Sequence, residues 1–253
     1  MPYVGSNHIH HLERVEMPTR TSADDMQAKI TAILATARHP NTPLAEAETA
    51  MAMAWKLMQK YGIEESATRN SGANSASSDD IICEEINLVG LYRVRRGELL
   101  YQIAKSNCCA GYRDLARDGA VAYVFFGTAS DIFNTRTIFA TAEMLALRLM
   151  PYGSRSFRTA WWHGFTHGII DTLHIANREF VREYDHQHAA ISLVDRSERA
   201  EREMTVRINF GLRRTRGYAS GSVQAFKDGK NAARIFSHGH NSVQSHSILA
   251  LNK

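Results

Sequence analysis

Residues 26–63 read MQAKITAILATARHPNTPLAEAETAMAMAWKLMQKYGI, and two helices are spelled out there almost residue by residue. Met26, Ile30, Ile33, Leu34 and Ala37 recur at i, i+4, i+7, i+8 and i+11, one face of a 3.6-residue period. Ser22, Asp24 and Asp25 put a cap and two acids at the positive end of this first helix. His39-Pro40-Asn41 breaks it, because the residue before a proline is pushed out of the α region. Thr42-Pro43 then opens a second helix, with threonine as N-cap and proline at the first helical position. Its apolar stripe is Ala47, Ala50, Met51, Ala54, Leu57, Met58 and Tyr61, and Gly62-Ile63 supplies a left-handed stop with a closing hydrophobic contact. The reading is an antiparallel helical hairpin with alanines along its seam, which no polar residue enters. That describes a packing or docking module.

The runs Lys29-Ile30-x-x-Ile33-Leu34-x-x-Ala37 and Glu46-Ala47-x-x-Ala50-x-x-x-Ala54-x-x-Leu57-Met58-x-Lys60-Tyr61-Gly62-Ile63 carry a resemblance. They resemble an uncharacterised domain family of bacteria and their phages, catalogued only as a domain of unknown function. Relatives in that family often carry a second, longer domain, and Phe157, Trp162, Gly164 and Phe165 are similar to a motif associated with it. The resemblance implies no activity.

Outward from the hairpin, the chain divides by composition. Residues 1–20 lack periodicity and read as a loose arm, 21–64 as the hairpin, and 65–80 as a flexible linker of small polar residues. Residues 81–236 read as an α+β domain and 237–253 as a loose tail. Within the α+β domain, Ile81–Val89 predicts a strand, Glu98–Cys109 a helix, and Tyr112–Phe126 a hairpin turning at Asp118-Gly119. Ser130 and Asp131 start a long helix that Pro151-Tyr152-Gly153 stops, and Ser156–Tyr184 predicts another. Ala189–Val194 reads as a strand, Ser197 as the cap of a helix to Ile208, and Ser220–Phe236 as a last helix interrupted at Asp228-Gly229. The expected fold is α+β: the N-terminal two-helix hairpin linked to a domain with a small antiparallel sheet, long helices packed on one of its faces.

Composition bounds the function. A chain of 253 residues with 44% apolar residues can bury a sizeable core. No apolar run is long enough to span a membrane, and the N-terminus lacks the apolar core of a signal peptide. Three cysteines make no disulfide framework, so a cytoplasm is the expected compartment, the host's if a phage encodes the chain. The pI near 9.0 leans towards acidic partners. Between Arg196 and Arg234 ten basic residues face four acids, and between Leu91 and Arg117 six face two. Arginine predominates, and its fork suits phosphate. The first expectation is therefore nucleic-acid binding through Arg207, Arg213, Arg214 and Arg216, with Tyr218 stacking on a base and Arg93, Arg95 and Arg96 as a second patch.

Two alternatives stand beside it. His163 and His167 sit at i, i+4 on one helix with Asp171 and His174 further along the stripe, a pair that can hold zinc in a metal-dependent hydrolase. Gly164 takes the place where zinc proteases carry their glutamate base, so further ligands would have to come from Cys108, Cys109, His186 or His188. The bland reading is the polar face of an amphipathic helix. The other alternative is a non-enzymatic protein docking a partner through residues 26–63. No glycine-rich nucleotide loop or nucleophile elbow occurs.

Overall fold

The last strand before the long helices, Val121–Gly127, reads VAYVFFG, and all seven residues are buried. A continuous apolar run is what a strand covered on both faces needs. In the computed structural model, which describes residues 22–39, 41–43, 46–47, 49–50, 53–58, 80–114, 120–183, 186–208, 211–212 and 222–234, this strand (β3) is the centre of a three-stranded antiparallel sheet. β1 (Ile82–Leu88) and β2 (Ala110–Asp114) flank it in the order β1-β3-β2. The β2–β3 ladder places Asp114 opposite Ala122. A two-residue Asp118-Gly119 loop would have placed it opposite Tyr123, so the observed register differs by one residue from that expectation. The turn itself lies outside the described residues.

Helices cover both faces of the sheet, not one. Gly97 of α3 (Arg93–Ser106) lies against the Tyr123 ring, so Val121, Tyr123 and Phe125 face α3 and the main core. By alternation Ala122, Val124 and Phe126 face the other side, where α6 (His186–Arg207) packs on β3 and β2. The β-prone run from Ala189 to Val194 belongs to that helix, and Ser197 is mid-helix rather than a cap. Burial of Arg196 and Ala200, one turn apart, turns one side of the helix onto the sheet; this tertiary gain overrides the local strand preference.

The long helix α4 (Ala129–Leu149) starts one cap earlier than Ser130 suggests. Thr128 Oγ1 accepts from the Asp131 N–H at 3.2 Å, an N-cap bond, and donates to Asp131 Oδ2 at 2.8 Å. α1 (Ser22–Arg38) and α2 (helical where described, at 46–47, 49–50 and 53–58) bury Ile30, Leu34, Ala37, Ala47, Ala54 and Met58. These side chains join one core with Leu99, Leu145 and Phe165, and α1 packs on α4.

The C-terminal α7 (Val223–Ala232) lies along α5 (Arg155–Glu183), and glycine makes this contact. A Cβ on Gly164 would overlap the Phe226 carbonyl, and one on Gly229 the Trp161 carbonyl. Gly168 abuts Ala233 and the Lys230 carbonyl. The two backbones therefore touch. Asp228-Gly229 does not interrupt α7; Gly229 is where α5 crosses it. Trp161, Trp162 and Phe165 fill the core beside this crossing, with Trp161 and Phe165 stacked at 5.2 Å.

Candidate functional site

α3 begins in an unusual way. β1 ends at Leu88, and the chain turns through Gly90 (φ +84°) and Tyr92 (φ +56°) into the helix. Tyr92 stands at the N-cap without a side-chain cap bond, and no acid occupies the first turn. Three arginines stand there instead: Arg93, Arg95 and Arg96. A helix N-terminus presents unpaired N–H groups and a positive dipole end, which favour acids or an external anion. Arg96 is committed to the structure, since it pairs with Glu143 on α4 and its Nη1 donates to the Val89 carbonyl at 2.7 Å. Arg95 pairs with Glu98 at 2.9 Å.

The start of α5 converges on the same place. Ser154 Oγ accepts from the Phe157 N–H at 3.2 Å, and the first turn carries Arg155 and Arg158 with no acid. The Arg158 guanidinium sits 5.7 Å from the centre of the Tyr92 ring. Trp162, one turn on, packs against the same ring at 6.4 Å. The N-termini of α3 and α5 thus meet at Tyr92, and their first turns hold Arg93, Arg95, Arg155 and Arg158 with no acid, Arg95 being paired with Glu98 in the next turn. Arg93 Nε, Arg158 Nε and Trp162 Nε1 are all buried and meet no acceptor among the described residues.

The histidine pair lies one turn further along α5. His163 and His167 contact each other edge to face at 4.8 Å, and both rings pack on Phe226 of α7. His163 Nε2 is 4.0 Å from Glu98 Oε1. Among the described residues, no group of three His, Cys, Asp or Glu side chains is placed to hold a metal ion. Asp171 pairs instead with Lys230 at 2.7 Å. Cys108 and Cys109 belong to another cluster, where Cys108 Sγ donates to the Leu193 carbonyl at 3.4 Å and Cys109 Sγ meets Thr135 Oγ1 at 3.7 Å. The side chains of His186 and His188 lie outside the described residues.

Burial lowers the His163 pKa, with the Glu98 carboxylate opposing it and His167 and Arg95 adding to it. The unfolded chain therefore holds the proton more tightly than the folded one at this position. Stability associated with His163 is fully present above the ordinary histidine pKa of about 6.5 and is lost as pH falls from there through the lowered folded value. The acid limb of a plot of melting temperature against pH should be shallower in His163→Gln than in the parent; an unchanged limb would remove His163 from that role.

The remaining sequence candidates divide. Arg207 lies in the last turn of α6, half-exposed, paired with Glu203 at 2.6 Å. Arg213, Arg214, Arg216 and Tyr218 lie outside the described residues. Arg196, which sequence counts among the surface bases, is buried and pairs with Asp131 Oδ1 at 2.9 Å. It is a structural ion pair under α6. Burial pushes the Cys108 thiol beside it up to about 12, and Cys109 well above its ordinary value, so both are neutral thiols at pH 7. Neither is an activated nucleophile.

Sequence reasoning did not single out Tyr92, Arg155 or Arg158, and it named Trp162 only as a motif residue without a binding role. The available signal was a first turn after Ser154 that holds bases where acids belong.

The fold and the site together describe an α+β protein in which two helices begin side by side, each with arginines and no acid in its first turn. Residues 25–65 match the model of a family described as "Protein of unknown function (DUF2786)". That match covers the helical hairpin and not the α3–α5 junction. No curated protein and no solved structure matches the chain significantly.

Proposed function

We propose that the protein binds nucleic acid and seats the phosphate backbone on the junction of α3 and α5. The observation that carries the reading is the meeting of two helix N-termini whose first turns hold Arg93, Arg95, Arg155 and Arg158 and no acid. Charge of that sign on a positive dipole end is unfavourable by itself and becomes favourable when a polyanion covers it. Tyr92 adds an aromatic ring at the same spot. Arg207, Arg213, Arg214 and Arg216, with Tyr218, form the second basic element of this reading. A reducing cytoplasm is the compartment it assumes, since Cys108 and Cys109 are buried as free thiols. Among the described residues no helix is long and apolar enough to cross a membrane.

Each phosphate contact releases condensed counterions, so affinity should fall steeply with salt. Replacing Arg155 and Arg158 together by alanine should weaken binding alike on unrelated sequences and flatten the salt slope by about two units if both contact phosphate. The Arg213→Ala, Arg214→Ala, Arg216→Ala triple variant should flatten it by about three. Electrophoretic or fluorescence titrations at two salt concentrations decide the matter. No measurable affinity of the parent at low salt ends the reading, and a slope unchanged by the Arg155/Arg158 variant moves the interface elsewhere.

A further inference from the structure

We propose that the α3–α5 junction contains a built seat for one phosphate group, held by Arg93, Arg158, the Trp162 indole N–H and the first-turn N–H groups of α3. The argument starts from the donors. Arg93 Nε, Arg158 Nε and Trp162 Nε1 are each shut off from solvent and meet no acceptor among the described residues. Arg158 and Trp162 each lie against the Tyr92 ring, and Arg93 is the next residue in the chain, at the first position of α3. Guanidinium and indole nitrogens donate and never accept, so what this cluster lacks is an acceptor. Trp162 is fully buried, and a buried donor without a partner costs free energy that an acceptor would return.

Charge selects the kind of acceptor. Two of the three donors belong to guanidinium groups, and both neighbouring first turns are free of acids. The Glu98 carboxylate is engaged by Arg95 and faces His163. The first helical bond of α3 runs from the Arg96 N–H to the Tyr92 carbonyl at 2.8 Å, so the N–H groups of Arg93, Val94 and Arg95 precede it. The donors thus belong to a helix end, to the side chains of Arg93 and Arg158, and to Trp162 in the core. A carboxylate presents two oxygens in one plane, whereas a phosphate presents a tetrahedron of them and carries more charge, which suits donors converging from several directions. The phosphate belongs either to a strand, as the proposed function requires, or to a small phosphorylated solute; the inference rests on the same junction as that reading.

The test uses the full chain labelled with nitrogen-15. Its three tryptophans give indole resonances that Trp→Phe substitution assigns. Inorganic phosphate should shift the Trp162 indole resonance saturably and leave Trp55 unmoved, whereas chloride at matched ionic strength should not. Arg158→Gln should weaken the phosphate response about tenfold, the loss of one charge-assisted bond, at unchanged melting temperature. Arg158→Lys keeps the charge without the fork and should fall between. An oligonucleotide lacking terminal phosphates that displaces inorganic phosphate identifies a backbone phosphate as the natural source; displacement only by a 5′-phosphorylated oligonucleotide identifies a terminal one. A phosphate response without any oligonucleotide affinity keeps the seat, assigns it to a small solute and ends the nucleic-acid reading. No saturable Trp162 response, with salt-sensitive oligonucleotide binding retained, overturns the seat alone.

Discussion

Replacing Arg196 by methionine is expected to destabilise the protein by about 3–5 kcal/mol, because it strands the Asp131 carboxylate in the interior. Both side chains are buried, at 5% and 4% exposure, and their 2.9 Å contact ties α6 to the N-terminus of α4. Asp131 Oδ2 also accepts from the Thr128 hydroxyl, a neutral donor that does not replace the guanidinium charge. Asp131→Leu alone should be comparably damaging, since it leaves the guanidinium buried. The double variant should recover most of the loss, because a well-packed apolar pair often equals or exceeds a buried ion pair in stability. Chemical denaturation of the four proteins gives the cycle directly. If either single variant loses less than about 1 kcal/mol, the pair does not hold α6 on the sheet.

Gly229→Ala is expected to lower stability by about 3 kcal/mol, the upper end of the ordinary cost of overpacking. The added methyl group would meet the Trp161 carbonyl and the Phe165 N–H, which are backbone atoms and cannot swing aside. Alanine's better helix propensity returns about 1 kcal/mol and does not offset the clash. For a chain of this size that corresponds to a drop of roughly 6–12 °C in melting temperature. Gly164→Ala, which meets the Phe226 carbonyl from the other helix, should behave alike. Ile175→Ala, on the exposed side of α5, should change stability by no more than about 0.5 kcal/mol. Gly229→Ala melting within a degree or two of the parent would mean that α7 can ride outward without cost, and the contact would then be incidental.

The second variant also bears on the proposed interface. α5 carries Arg155, Arg158 and Trp162 at one end and the glycine crossing a turn or two later, so α7 helps hold α5 where its N-terminus meets Tyr92. Of the motif residues, Phe165 is a fully buried side chain and Gly164 a point of backbone contact between α5 and α7, so packing accounts for both, whereas Trp162 is buried with an indole N–H that meets no acceptor among the described residues.

Much of the architecture was legible before any coordinates. The hairpin stripes were set by period and caps alone, and Ile30, Leu34, Ala37, Ala47, Ala54 and Met58 are buried as that period requires. α5 was legible as one long helix, expected over Ser156–Tyr184 and observed over Arg155–Glu183. Local sequence suffices where a single amphipathic face and its end signals agree. What only the tertiary structure decided are the features where they conflict. Ala189–Val194 has strand-forming residues yet is helix, because the far face of β3 needed a cover and α6 supplies it. Arg196 looks like surface charge and is interior, because its partner lies 65 residues away at a helix end. α3 begins at Arg93 rather than Glu98 because its first turn has no cap residue to announce it. The candidate site shares that property: Tyr92 and Arg93 stand more than sixty residues before Arg158 and Trp162, and only the tertiary structure brings the starts of α3 and α5 together.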